Sequence, residues 1–262
     1  MTTSIYHDSL AAILTSAGEK IMAYRDKATA VTEKEKNEIV TPADIAANNH
    51  IVRELQKAFP KIEIYTEEGS VNKSDATTRW IVDPIDGTTP WVWGNSGFAV
   101  SIALEEQGEV TVAAVYDPVM KELFYAERGK GATRNGQPIR PSGATNIKEM
   151  FMVVDWGNED EKRKEGLAYF EKFFLPEMFA RRIVPQFAPA LGLCRIAEGR
   201  VHALICNDTW VEDHAAGSLI LQEAGGYCTN FYDAAPGFTH RQSGIIATNN
   251  ATTHQAIRQL LS

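Results

Sequence analysis

One stretch constrains this chain more than any other: Arg79-Trp80-Ile81-Val82-Asp83-Pro84-Ile85-Asp86-Gly87-Thr88-Thr89-Pro90. Arg79 to Val82 reads as a short β-strand that runs directly into acidic residues. Residues 83–90 are dense in turn-forming types, so they read as a tight turn, a ligand loop, or both. Asp83 and Asp86 are close enough in the chain to bind neighbouring cations, with the Ile85 carbonyl between them. Gly87 lets the backbone approach an anion closely, while Thr89 and Pro90 suit the N-cap and first residue of a new helix. Backbone N–H groups at such a helix start favour an oxyanion. One segment thus offers cation ligands, anion donors and a hydroxyl.

The 262 residues leave room for one large domain or two closely packed halves. A hydrophobic content of 44% with 23% charged residues sets aside disorder and a membrane protein. No apolar run approaches the ~20 residues of a membrane helix. The net charge of -8 argues against a general nucleic-acid-binding surface, though not against phosphate held through metal ions. Cys194, Cys206 and Cys228 are scattered without C-x-x-C spacing, as expected of reduced thiols in a cytoplasmic protein rather than a disulfide framework or zinc site. The N-terminus has neither the basic nor the apolar region of a secretory signal.

Helical spacing puts Leu10, Ile13, Leu14, Ala17, Ile21 and Met22 on one face of a first helix, capped by Asp8 or Ser9. The polar run 32–38 reads as a solvated loop or mobile flap. Thr41 then suits an N-cap, Pro42 the first helical position and Asp44 the first turn; Ile45, Ile51, Val52, Leu55 and Phe59 form the buried stripe, and Pro60 stops the helix. Strands follow over 62–65 and 79–82, then an antiparallel meander over 98–104, 110–116 and 122–126, with turns at Gln107-Gly108, Asp117-Pro118 and Asn135-Gly136. Further strands are expected over 151–155, 201–205 and 244–248. Helices are expected over 161–174, 190–198 with Gly199 at C′, 213–224 and 252–261. The chain reads as α+β in alternating layers, with halves 1–145 and 146–262 of one integrated domain sharing a cleft around residues 140–150.

Four acidic groups stand out: Asp44, Glu67-Glu68, Asp83 with Asp86, and Asp213. Singly, each has a plain structural reading. An Asp in a first helical turn is usually a cap, and a Glu-Glu pair on a loop is usually solvated. Together, hard oxygen ligands at element ends suit Mg²⁺, and no His or Cys cluster competes with them. His214 reads as a helix-surface or supporting residue.

The sequence here resembles the inositol monophosphatase family. Trp80 to Thr89 is similar to its first signature, and Asp213-His214-Ala215-Ala216-Gly217 continuing to Glu223-Ala224-Gly225-Gly226 to its second. Tyr65-Thr66-Glu67-Glu68 and Val40-Thr41-Pro42-Ala43-Asp44 resemble two further segments, in the same order along the chain. The resemblance implies a layered α-β-α-β-α fold, two or three Mg²⁺ per site, lithium sensitivity and commonly a homodimer. It places Glu67, Asp83 and the Ile85 carbonyl on a first metal, Asp83, Asp86 and Asp213 on a second, and Glu67 again near a third. Asp44 and Thr88 would orient and deprotonate a water, with Glu67 also counted among the catalytic groups, and the Gly87 and Thr88 amides would hold phosphate. The reaction implied is hydrolysis of a small phosphorylated polyol such as inositol monophosphate. Histidinol phosphate and fructose bisphosphate are the alternatives, and a non-catalytic binding protein or a dimeric scaffold the competing classes.

The pattern departs from the family in several places. Glu212 stands where the second signature carries Trp, with Trp210 two residues earlier; its carboxylate reads as facing solvent or supporting Asp213. On the expected substrate side, Cys206 replaces a polyol-binding Glu, and Phe187-Ala188-Pro189 replaces a Gly-Ser/Thr-Ala segment. A thiol cannot accept two hydroxyl hydrogen bonds as a carboxylate does, so Asn207 and Asp208 are candidates to substitute, with Glu68 on the same side. Trp91 and Trp93 read either as core or as a narrowing of the pocket mouth.

Overall fold

The computed structural model describes residues 4–25, 31–33, 39–69, 77–157, 159–173, 180–232 and 244–261. Helix α1 (Ile5–Tyr24) buries Leu10, Ile13, Leu14, Ala17 and Ile21, the face their spacing defines. Its cap is Ser4, which accepts the Tyr6 amide at 3.3 Å, so Asp8 and Ser9 lie inside the helix rather than before it. Strands β1 (Thr32–Glu33) and β2 (Ile39–Val40) pair antiparallel, and residues 34–38 of the expected polar loop lie outside the described residues. Helix α2 (Pro42–Ala58) begins as its sequence dictates, with Thr41 as N-cap and Pro42 in the first turn. Ala43, Ala47, Ile51 and Leu55 share its inner stripe, which leaves Ile45 outside and 44% exposed, against expectation.

Seven strands follow in chain order across one sheet: β3 (Glu63–Thr66), β4 (Thr78–Asp86), β5 (Ala99–Glu106), β6 (Glu109–Asp117), β7 (Glu122–Glu127), β8 (Ala132–Arg134) and β9 (Gln137–Pro138). Only the β3–β4 pair is parallel. Gln107-Gly108 and Asn135-Gly136 all take positive φ, as two-residue hairpin turns of this hand require. Short helix α3 (Thr88–Val92) leaves β4 through Gly87, whose φ is +91°, so the helix starts two residues earlier than the Thr89-Pro90 reading.

The second sheet is built from β10 (Phe151–Asp155), β11 (Arg182–Pro185), β12 (Ala203–Cys206), β13 (Tyr227–Asn230) and β14 (Ile245–Thr248), in the order β11-β10-β12-β14-β13. Helices α4 (Asp160–Phe173), α5 (Pro189–Ala197), α6 (Val211–Ala224) and α7 (Ala251–Leu261) connect or follow these strands. Edge strands β11 and β13 were not legible in the sequence: β11 is mostly exposed and ends in proline, so it carries no apolar alternation.

Alternation along β4 sorts the layers. Trp80 and Val82 pack with α1 and α2 on the outer face, while Ile81 faces α5 and α6. These two middle helices also pack against Leu204, Cys206 and Ala247 of the second sheet. Helices α4 and α7 close its far face over Met152, Val154, Ile205 and Ile246. The result is an α-β-α-β-α sandwich. Because α6 is covered on both sides, it is buried over most of its circumference, with Glu212, His214 and Ser218 among its buried residues. Where β6 turns into β7, Arg195 on α5 bonds Asp117, Glu122 and Glu198, pinning the middle layer to the β6–β7 turn.

Candidate active site

In an unbroken strand Asp83 and Asp86, three residues apart, would point to opposite faces. The β4–β5 register shifts between them, with Asp83 opposite Ser101 and Asp86 opposite Ala99, so β4 carries one extra residue. Pro84, which has no N–H for the ladder, sits in that bulge. The shift sends Ile85 into the α1–α2 core and turns both carboxylates toward the middle layer. There Asp83 Oδ1 accepts the Ile85 amide at 2.9 Å, and Asp86 Oδ2 accepts the Leu191 amide at the start of α5 at 3.2 Å.

Asp213 arrives from the first turn of α6. Its Oδ2 accepts the Trp210 amide at 2.7 Å and the Thr209 hydroxyl at 2.8 Å, so it is a helix cap and a cleft residue at once. Oxygens of Asp83, Asp86 and Asp213 lie within 4.8 Å of one another. Because β3 and β4 are parallel, Glu67 follows Thr66 just as Asp83 follows the paired Val82, and Glu67 and Glu68 line the same cleft. Asp44 lies behind the wall, fully buried. Its Oδ1 accepts the Thr88 hydroxyl at 3.1 Å, and its Oδ2 accepts both the amide (2.8 Å) and hydroxyl (2.5 Å) of Thr41. The Thr88 hydroxyl also lies 3.1 Å from the Ile85 carbonyl. At Gly87 a Cβ would stand 2.8 Å from the Gly97 carbonyl oxygen and 3.0 Å from Ala188, so only glycine fits.

The cleft encloses about 820 Å³. Among the described residues its lining holds nine carboxylates and no Lys, Arg or His. Burial first, then repulsion from neighbouring carboxylates, pushes the Asp83 and Asp86 carboxyls well above their ordinary range. Burial likewise raises Asp44, against the Thr41 hydrogen bonds that lower it. An all-oxygen donor set, buried and self-repelling, fits a hard divalent cation such as Mg²⁺, whose charge would remove the repulsion.

The remaining expected residues divide. Phe187, like Glu68, lines the cleft. Ala188 is buried against Gly87, and Cys206 is buried with its thiol donating to the Asp208 carbonyl at 3.0 Å. Asn207 is buried too, its amide donating to the Lys162 carbonyl at 2.8 Å. None of these three lines the cleft. Glu212 does not face solvent: it is 5% exposed, lines the cleft and accepts the Tyr65 hydroxyl at 3.3 Å. His214 is buried rather than on the helix surface, and burial lowers it to about 4. Trp91 is core and Trp93 is 77% exposed; neither narrows the mouth. The lining comes from residues 39–89 and 155–213, with none from 140–150.

Sequence reasoning missed Asp155, Trp156 and Glu159. Asp155 ends β10 as Asp83 interrupts β4, an acid at the close of an apolar strand, and that parallel was the available signal.

Fold and site together define a five-layered α+β protein with a carboxylate-lined, metal-type cleft at its strand ends. The chain belongs to the inositol monophosphatase family, whose description matches residues 5–262. It is 35% identical over 230 residues to a Nus factor SuhB of Vibrio cholerae, covering 87% of this chain and 84% of that one. It resembles the extragenic suppressor protein suhB of Bartonella henselae at TM-score 0.90 and 29% identity, with 99% of each chain covered. It also resembles an IMPase of Thermotoga maritima at TM-score 0.86 and 30% identity, covering 97% of this chain and 95% of that one. Among the described residues no helix is long and apolar enough to cross a membrane.

Proposed function

We propose that this protein is a Mg²⁺-dependent phosphomonoesterase acting on a small phosphorylated alcohol. The observation that carries the reading is the convergence of Asp83, Asp86 and Asp213 beside the Thr88–Asp44 pair. Asp83, Asp86, Asp213, Glu67 and the Ile85 carbonyl would hold the ions. When bound, Mg²⁺ supplies charge neutralisation at the phosphate and a more acidic water.

The chain's own residues then have defined tasks. Thr88 has one hydroxyl proton and two acceptors, Asp44 and the Ile85 carbonyl. With the Ile85 carbonyl among the residues that would hold the ion, the Thr88 proton would be left to Asp44, and the Thr88 oxygen would be placed to accept a proton from the attacking water. Asp44, raised by burial, is the stronger base for it. Gly87 and Thr88 amides hold the phosphate oxygens. Water forms the new P–O bond, the ester P–O bond breaks, and the alcohol leaves with a proton while inorganic phosphate remains.

Three buried free thiols support a reducing, cytoplasmic setting. The family resemblance supports a homodimer and inhibition by Li⁺. The competing reading is a binding role, favoured by the name Nus factor carried by the Vibrio cholerae relative. The test is phosphate release from p-nitrophenyl phosphate and a panel of sugar and polyol phosphates, with and without Mg²⁺. Turnover that Mg²⁺ activates, and that Asp44→Asn lowers on the order of 10²-fold or more, is expected. No release from any ester with Mg²⁺ present leaves the binding role.

A further inference from the structure

Glu212 stands directly before Asp213, where the family signature carries Trp. Trp210, two residues earlier, precedes helix α6 at the cleft rim and is 44% exposed, so it does not take the buried place that Glu212 holds. Glu212 lies in the first turn of α6, where the helix dipole favours an acid whether it is exposed or not. Its burial therefore needs a separate cause.

The side chain is 5% exposed and lines the cleft, with its two oxygens 3.3 and 3.5 Å from the Tyr65 hydroxyl. Tyr65 lies on β3 two residues before Glu67, so this bond joins the strand end that presents Glu67 to the helix start that presents Asp213. The Tyr65 ring is in turn steadied by the Arg79 guanidinium, 5.3 Å from its centroid. A hydroxyl is neutral, so it fixes the carboxylate without cancelling its charge. Among the described residues, the carboxylate oxygens within 4.8 Å of one another are those of Asp83, Asp86 and Asp213, which puts Glu212 beside the cluster rather than in it. It is nevertheless close enough to repel the Asp83 carboxylate. One more buried negative charge costs the metal-free protein, and a divalent cation turns the same charge into attraction.

Resting on the reading of the cleft as a Mg²⁺ site, we infer that Glu212 is a carboxylate added to that site in this chain, held in place by Tyr65, whose charge tightens cation binding by Asp83, Asp86 and Asp213. It touches neither the phosphate nor the alcohol and acts through the cations alone.

The test is titration of the intact protein with Mg²⁺, without substrate, followed by calorimetry and by the rise in melting temperature. Glu212→Gln keeps an acceptor for Tyr65 and removes the charge; it should weaken Mg²⁺ binding roughly tenfold or more. Glu212→Trp, the family residue, should weaken it similarly, and Tyr65→Phe by less. The metal-free Gln variant should melt no lower than the parent. Glu106→Gln, at the exposed end of β5, controls for net charge and should leave binding unchanged. Binding by the Gln variant within about twofold of the parent overturns the inference. So does a Trp variant that binds like the parent, which would make the side chain a filler, or equal weakening by Glu106→Gln. Weaker binding that comes with a lower metal-free melting temperature also overturns it, by making Glu212 structural. A parent that binds no Mg²⁺ strikes the metal reading and this inference with it. A parent that binds Mg²⁺ with the expected ranking of variants, yet releases no phosphate from any ester, strikes the phosphatase reading alone.

Discussion

Both walls of the cleft use the same part, an acid at or near the end of a strand, but support it differently. On the seven-stranded sheet, Asp83 and Asp86 each take a backbone amide from another residue's turn or helix, and the buried Asp44 takes three hydrogen bonds. On the five-stranded sheet, Asp155 takes the amide of the next residue, and Asp208 rests against a glycine. The first wall fixes directions as well as charge, as ion coordination demands. The second places Asp155, Asp208 and Glu159 along the cleft beside the aromatic rings of Trp156 and Phe187. Family resemblance follows the same division, dense on the first wall and sparse on the second.

The largest expected effect would break the first wall. Asp83→Asn should lower Mg²⁺-dependent turnover on the order of 10³-fold and greatly reduce the rise in melting temperature that Mg²⁺ produces. Its effect on the metal-free protein runs the other way. A carboxyl raised in the folded state protonates more readily there than in the unfolded chain, so its contribution to stability is lost as pH rises above 3.8. At neutral pH the metal-free Asn variant should therefore melt higher than the parent. A lower melting temperature would show that the cost of burying this charged carboxylate among its neighbours is outweighed by the bonds it makes.

Gly87→Ala should have the next largest effect, about 3 kcal/mol of stability, because the new Cβ meets a backbone carbonyl at a left-handed φ. Denaturant unfolding measures it. A cost under about 1 kcal/mol would mean that the loop can relax, which the first wall's rigidity disallows.

The smallest effect tests burial on the second sheet with a neutral group. His254 on α7 lies 2.9 Å from the Thr229 hydroxyl, and burial with the nearby Arg258 charge lowers it to about 4. Unfolded, the ring protonates near 6.5, so stability present above that pH is lost as pH falls toward about 4. His254→Gln should remove on the order of 1 kcal/mol of that loss. An unchanged pH dependence of the unfolding midpoint would assign the acid sensitivity elsewhere.

Much of the frame was legible where a local rule and the tertiary fold agree. Thr41-Pro42-Ala43-Asp44 starts a helix by side-chain and backbone bonds it makes itself, and Gln107-Gly108 turns a hairpin by φ alone. The first cluster was legible as composition at strand ends, but not its geometry, since a register shift cannot be counted from one strand. The solvent-facing alternatives for Glu212 and His214 fail because α6 is a middle layer; a helix covered on both sides has no solvent face to which polar residues can default. Cys206 and Asn207 were expected in the cleft by alignment of spacing, yet the strand end turns them inward and presents Asp208 instead.

The Thr41–Asp44 capping box carries a further consequence. With Oδ2 committed to Thr41, Asp44 has a single oxygen left for Thr88, so the proposed base would be armed only while the first turn of α2 is wound. Helix ends fray long before a fold melts. A fluctuation that costs the molecule one turn would silence its chemistry and leave every layer of the sandwich in place.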